Sequence, residues 1–260
     1  MMREIKVLLI LIIVIMSKNV YASNKFKNLG FNEFEVNNFT EEEYYDNKGL
    51  VGEIVEQNIN YYKTTNIHGN LTTEEITEQE YLINENIDLL GTIETTYKKM
   101  TTTIVKINSY YRYKVDLEWK KMPKYRGYDI IGIGIESSKV KISSNEKFKI
   151  NYCYTNGNCS SSVVHYVKQN SNGSSALFEL PTSTNINKIS AYLYFDIDKK
   201  NTGTIKDLTA YGDYSHNIKK ISAANAKTYE IKTNGIHINS NYVEYFDEIS
   251  PSIANWKGTW

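Results

Sequence analysis

Residues 111–119 read YRYKVDLEW. Taken alternately, Tyr111, Tyr113, Val115, Leu117 and Trp119 fall on one face, and Arg112, Lys114, Asp116 and Glu118 on the other. Side chains of an extended strand point to opposite faces in turn. The pattern therefore predicts a half-buried antiparallel strand, with its charged face in water. Residues 129–136, DIIGIGIE, repeat the alternation: Ile131, Ile133 and Ile135 share one face, and Gly132 and Gly134 leave the other bare. Such a floor marks close approach by another segment or a ligand, or lets a second layer pack tightly.

The rest of the C-terminal part reads the same way. Residues 92–108 are rich in Thr, Ile and Val, and further strands are expected near 146–154, 160–168, 174–180, 188–197, 204–215, 227–232, 235–240 and 241–247. Asn172-Gly173, Thr202-Gly203 and Asn234-Gly235 supply turns between them. Many short strands with few helices predict a mainly β chain folded as an antiparallel β-sandwich over 91–260.

Residues 23–90 differ. Thr40-Glu41-Glu42-Glu43 and Thr77-Glu78-Gln79-Glu80 are capping boxes, predicting short helices to about Asn47 and Asn86. Residues 57–65 look extended, and His68-Gly69-Asn70 reads as a turn. The segment is acidic. It is expected to be a small α+β unit, either a simple cap or a removable pro-region or docking module. Ahead of it, Arg3 and Lys6 precede ten apolar residues, Val7 to Met16, and the small-residue site Val20-Tyr21-Ala22. This predicts a signal peptide over 1–22 and a secreted, extracellular product. The apolar run is too short to span a bilayer, so no stable membrane insertion is expected.

With 30 basic and 30 acidic residues the chain is neutral, which offers no electrostatic basis for binding nucleic acid. Its two cysteines lie in CYTNGNC, 153–159. Strand-like flanks and Asn156-Gly157 predict a hairpin that pairs Cys153 with Cys159 around the loop Thr155-Asn156-Gly157. In an oxidising compartment those cysteines form a disulfide staple. Their spacing is neither C-x-x-C nor a zinc knuckle.

Little else points to chemistry. The four histidines, His68, His165, His216 and His237, form no metal-binding pair motif. Asp213-x-x-His216 comes nearest, but positions three apart on a strand face opposite ways. Residues 195–203, FDIDKKNTG, fail the EF-hand pattern where Lys200 and Asn201 stand. No metal, cofactor or catalytic residue is assigned. Tyr152, Tyr154, Tyr166, Tyr192 and Tyr194 lie on neighbouring predicted strands and form the candidate contact surface, since tyrosine offers an apolar face with a polar tip.

Four stretches carry a resemblance: TYKKMTTTI (96–104), LEWKKMP (117–123), RGYDIIG (126–132) and AYGDYSH (210–216). Together, over about residues 70–250, they resemble an uncharacterised group of exported proteins from low-GC Gram-positive bacteria. The resemblance implies export and supplies no catalytic residues. The expected function is a non-enzymatic extracellular binding module with a cell-surface protein or glycan partner. One alternative is a secreted, membrane-active toxin or bacteriocin-like protein, because residues 160–167, SSSVVHYV, are Ser-rich and partly alternating. The other is a secreted hydrolase.

Overall fold

The computed structural model describes residues 24–67, 70–83 and 93–260. The predicted signal peptide, His68 and Gly69 of the predicted turn, and the end of the second predicted helix lie outside the described residues.

Two antiparallel sheets face each other. In the larger, β2 (Asn70–Ile76), β1 (Gly52–Ile67), β3 (Ile93–Ile107), β4 (Tyr110–Lys121), β11 (Ile186–Lys199), β7 (Lys147–Tyr154) and β8 (Cys159–Ser162) follow one another, and β6 (Val140–Ile142) also pairs with β11. The smaller runs β15 (Phe246–Glu248), β12 (Asp207–Asn217), β5 (Tyr128–Ile135), β10 (Gly173–Glu179) and β9 (Tyr166–Asn170), with β16 (Ser252–Lys257) also on β12. The 23–90 segment thus contributes two strands to the larger sheet. Its helices α1 (Glu33–Asn37) and α2 (Glu41–Asn47) precede β1, and α3 (Glu78–Ile83) follows β2. A further helical turn, α4 (Ala223–Ala226), and a ribbon of β13 (Glu230–Lys232) and β14 (Gly235–His237) follow β12.

The main core fills the space between the sheets. The inward face of β4, from Tyr111 to Trp119, meets Ile131, Ile133 and Ile135 of β5. The bare floor of β5 faces outward and is covered by the ribbon. A Cβ at Gly134 would collide with the Thr233 carbonyl, and one at Gly132 would press on Ile236. A second layer of chain therefore explains these glycines.

The charged face of β4 departs from expectation. Arg112, Lys114 and Asp116 are buried, because residues 24–50 lie over them. Phe26, Leu29 and Phe31 pack there against Val105, Ile107, Tyr192 and Tyr194. Alternation showed that the two faces differ, but a strand in a covered sheet can be buried on both.

The stretch 160–168, expected as one strand, is two. β8 borders the larger sheet and β9 the smaller, and Val163-Val164-His165 carries the chain across. Adjacent Val163 and Val164 break the alternation that a single strand needs, and the His165 ring turns back onto the Val163 carbonyl, 2.6 Å away.

Candidate binding site

The hairpin of β7 and β8 forms as its sequence predicts. Cys153 and Cys159 are register partners and are joined by a disulfide. The Tyr154 N–H donates to the Asn158 carbonyl at 2.8 Å, and the Gly157 N–H to the Tyr154 carbonyl at 2.9 Å. Gly157 has φ of 85°, the left-handed geometry this loop position demands.

Beside the hairpin, where the chain crosses between sheets, a cleft of about 570 Å³ opens along the edge of the sandwich. Its walls include Tyr128, Tyr152, His165, Tyr166, Phe178 and Lys227. Tyr152 faces inward on β7 and packs against the main core. Tyr166, 42% exposed, opens β9, and the Lys227 ammonium sits 4.2 Å from its ring centre. Burial pulls the His165 pKa down, but Glu146 at 3.2 Å and the Val163 carbonyl outweigh it and raise it. Both ring nitrogens face acceptors, an arrangement that only the doubly protonated ring satisfies. The cleft thus combines aromatic faces with the Lys227 ammonium and the His165 imidazole. Val164 in its wall is 80% exposed, and the neighbouring Val163 is 56% exposed.

The five tyrosines singled out from the sequence do not form one surface. Tyr152 and Tyr166 meet in this cleft. Tyr154 lines a separate cleft of about 460 Å³ beside the stapled tip, with Thr155, Gly157 and Lys188. Tyr192 and Tyr194 point through the opposite face of the larger sheet, under residues 24–50, and are 0% and 4% exposed. They are corrected from contact residues to core residues. Being near in strand order, they looked near in space, but β11 and β7 present them to opposite faces. His165 and Lys227 escaped the sequence reading. Lys227 approaches from a distant loop, and no local pattern announces it.

A second polar cluster lies inside the core. Asp129 accepts hydrogen bonds from the Tyr214 hydroxyl and from the Asn217 N–H at 2.9 Å, with His216 Nδ1 at 3.0 Å. The His216 ring lies against Trp119, with centres 5.0 Å apart. Lys98 pairs with Asp247 at 2.7 Å nearby. Burial raises the Asp247 carboxyl, but Lys98 and the Thr73 hydroxyl outweigh it and hold it below the usual carboxylate range. His216 borders a pocket of only about 60 Å³. Asp213 points to the other side, where it accepts from the Ile236 N–H at 2.7 Å. Among the described residues, no three of the acids, histidines and cysteines gather where they could hold a metal ion. No described helix is long and apolar enough to cross a membrane.

No family model matches the chain, and no curated protein matches it. Among solved structures it is similar to the C-terminal domain of the AgI/II polypeptide BspA of Streptococcus agalactiae, at 5% identity and a TM-score of 0.29, covering 78% of this chain and 80% of that one. It is also similar to the collagen-binding domain of the surface protein RspB of Erysipelothrix rhusiopathiae, at 5% and 0.27, covering 64% and 66%. A structure described as a pore-forming protein shows 11% and 0.27, covering 78% and 94%. At such scores these likenesses carry no argument for function.

Proposed function

We infer that this is an exported, non-enzymatic binding module. Its partner is a cell-surface molecule, a glycan before a protein, held in the cleft between β7, β8 and β9. The observation that carries this reading is the convergence of Tyr152 and Tyr166 with His165 and Lys227 in one open cleft. Tyrosine faces stack on the C–H faces of sugar rings, and the Lys227 ammonium donates hydrogen bonds to hydroxyls or acidic substituents. The hydrogen bonds of the Asp129–His216 pair tie β5 to β12 within the core.

The test is capture of the 23–260 chain on cell walls from Gram-positive bacteria, before and after the walls are stripped of protein. Binding that survives stripping and is lost in a folded Tyr166→Ala variant supports a glycan. Binding lost with the protein turns the reading to a protein partner, and no binding to any wall sinks it.

A membrane-active protein is the second reading, favoured by the exposure of Val163 and Val164. Dye release from liposomes separates the two. The binding module leaves vesicles intact.

A further inference from the structure

Residues 24–50 are bound to the larger sheet in an unusual way. Among the described residues, every backbone–backbone hydrogen bond made by this segment stays within it. It meets the sheet through side chains. The sheet brings the cations and the segment brings the carboxylates. Lys114 of β4 reaches Glu35 at 3.0 Å. Lys149 of β7 reaches Glu43 at 2.6 Å and also the Asn38 carbonyl. Lys147 reaches Glu42 and Asp46, each at 3.2 Å. Arg112 donates to Asn47 at 2.7 Å. The Tyr192 hydroxyl donates to Glu43. Phe31 inserts edge-on against both Tyr192 and Tyr194, with centres 5.9 and 5.4 Å away.

This is how a docked peptide is recognised: an aromatic anchor in a pocket, ringed by charge-assisted hydrogen bonds. The segment is acidic, with six acids against three bases, and carries its own helix caps at Asn32–Glu35 and Thr40–Glu43. Its covalent link to β1 is short and at the surface, with Val51 68% exposed. Nothing in the groove requires the segment to come from the same chain.

We propose that residues 24–50 are a tethered ligand, and that the outer face of β4, β11 and β7 is a docking groove filled here in cis and filled in trans by the same segment of a second copy. Exchange keeps each of the side-chain contacts above. It gives up only the high effective concentration of the tether, so it grows with protein concentration, as in domain swapping. This groove is on the opposite face of the sheet from the tyrosine cleft and does not depend on that cleft's function.

The test uses the whole 23–260 chain with a protease site inserted after Gly49. After cutting, a labelled peptide of residues 24–50 is added. The expected result is saturable uptake, with affinity reduced roughly tenfold to a hundredfold when the peptide carries Phe31→Ala or Glu43→Gln. Placing the changes in the peptide leaves folding of the acceptor untouched. A cut protein that loses its own segment and takes up no peptide overturns the tethered-ligand proposal, whereas one that keeps the segment without its covalent link supports it. In parallel, two differently tagged uncut chains are mixed at high concentration. Co-capture is expected, and its absence, with peptide uptake intact, overturns the second copy as occupant.

Discussion

Lys114 Nζ lies 3.0 Å from Glu35 Oε2, and both side chains are fully buried. The same ammonium also pairs with Asp116. One cation thus serves two carboxylates. Burial and the neighbouring Asp116 raise the Glu35 carboxyl well above its ordinary value, against the pull of Lys114. Burial lowers Lys114, but Asp116 and Glu35 outweigh it and keep the ammonium charged.

Removing the cation leaves both acids uncompensated. Lys114→Met should cost about 3–5 kcal/mol, the usual penalty for breaking a buried pair. Glu35→Gln should cost much less, because it deletes a charge the site already disfavours. Urea unfolding of the two variants checks the order. Equal losses would mean that the pair matters only through its packing.

Two acids, buried Asp213 and half-buried Glu43, give opposite pH dependences. Burial pushes Asp213 up to about 7, against the two backbone N–H groups it accepts from. Its folded pKa exceeds its unfolded value of about 3.9. It therefore contributes stability below that value, and the contribution is lost as pH rises through about 7. Glu43 is the reverse. Burial raises it, but hydrogen bonds from Lys149, Thr40 and Tyr192 outweigh this and lower it. Its contribution is present at neutral pH and lost on acidification through the lowered pKa. Asp213→Asn should flatten the decline between pH 4 and 7, roughly the window between the two Asp213 values. Unfolding midpoints across that range measure it. An unchanged profile would show that Asp213 does not titrate there.

The ribbon rests on bare backbone. Gly134→Ala forces a Cβ into the Thr233 carbonyl and should cost about 1–3 kcal/mol. The loss should come with faster hydrogen exchange at the Ile236 amide, whose acceptor is Asp213. Gly49→Ala, with nothing near its Cβ position, is the control and should leave Ile236 unchanged.

Replacing both cysteines with serine should cost roughly 2 kcal/mol, by restoring freedom to a short loop in the unfolded chain. Thermal unfolding measures this. A much larger loss would mean that the disulfide also holds the cleft wall formed by β7 and β8.

Local signals were readable from the sequence and distant ones were not. Thr40 and Glu43 announce their helix because both partners of a capping box lie within one turn. Asn32-x-x-Glu35 closes the same kind of box and went unread, since its helix spans only five residues. The stapled hairpin was legible because the turn residues and both cysteines fall in seven positions. The glycine floor of β5 showed that something must lie close, but not that the ribbon does. The burial of Lys114 was hidden, because its partner Glu35 stands 79 residues earlier and nothing near either residue points to the other. Tyr152 and Tyr166, which line one cleft, stand out in the sequence by residue type alone. That Tyr192 and Tyr194 belong elsewhere depends on which face of the sheet each strand presents, and that is fixed only once both layers are in place.

In the proposed binding module the cleft at the sandwich edge holds the ligand. Hydrogen–deuterium exchange of the 23–260 chain, with and without Gram-positive cell-wall fragments, tests it most directly. Protection is expected in 150–154, 162–167 and 177–182, the strands and crossing that line the cleft. Protection confined to other surfaces, or no change anywhere, would contradict it.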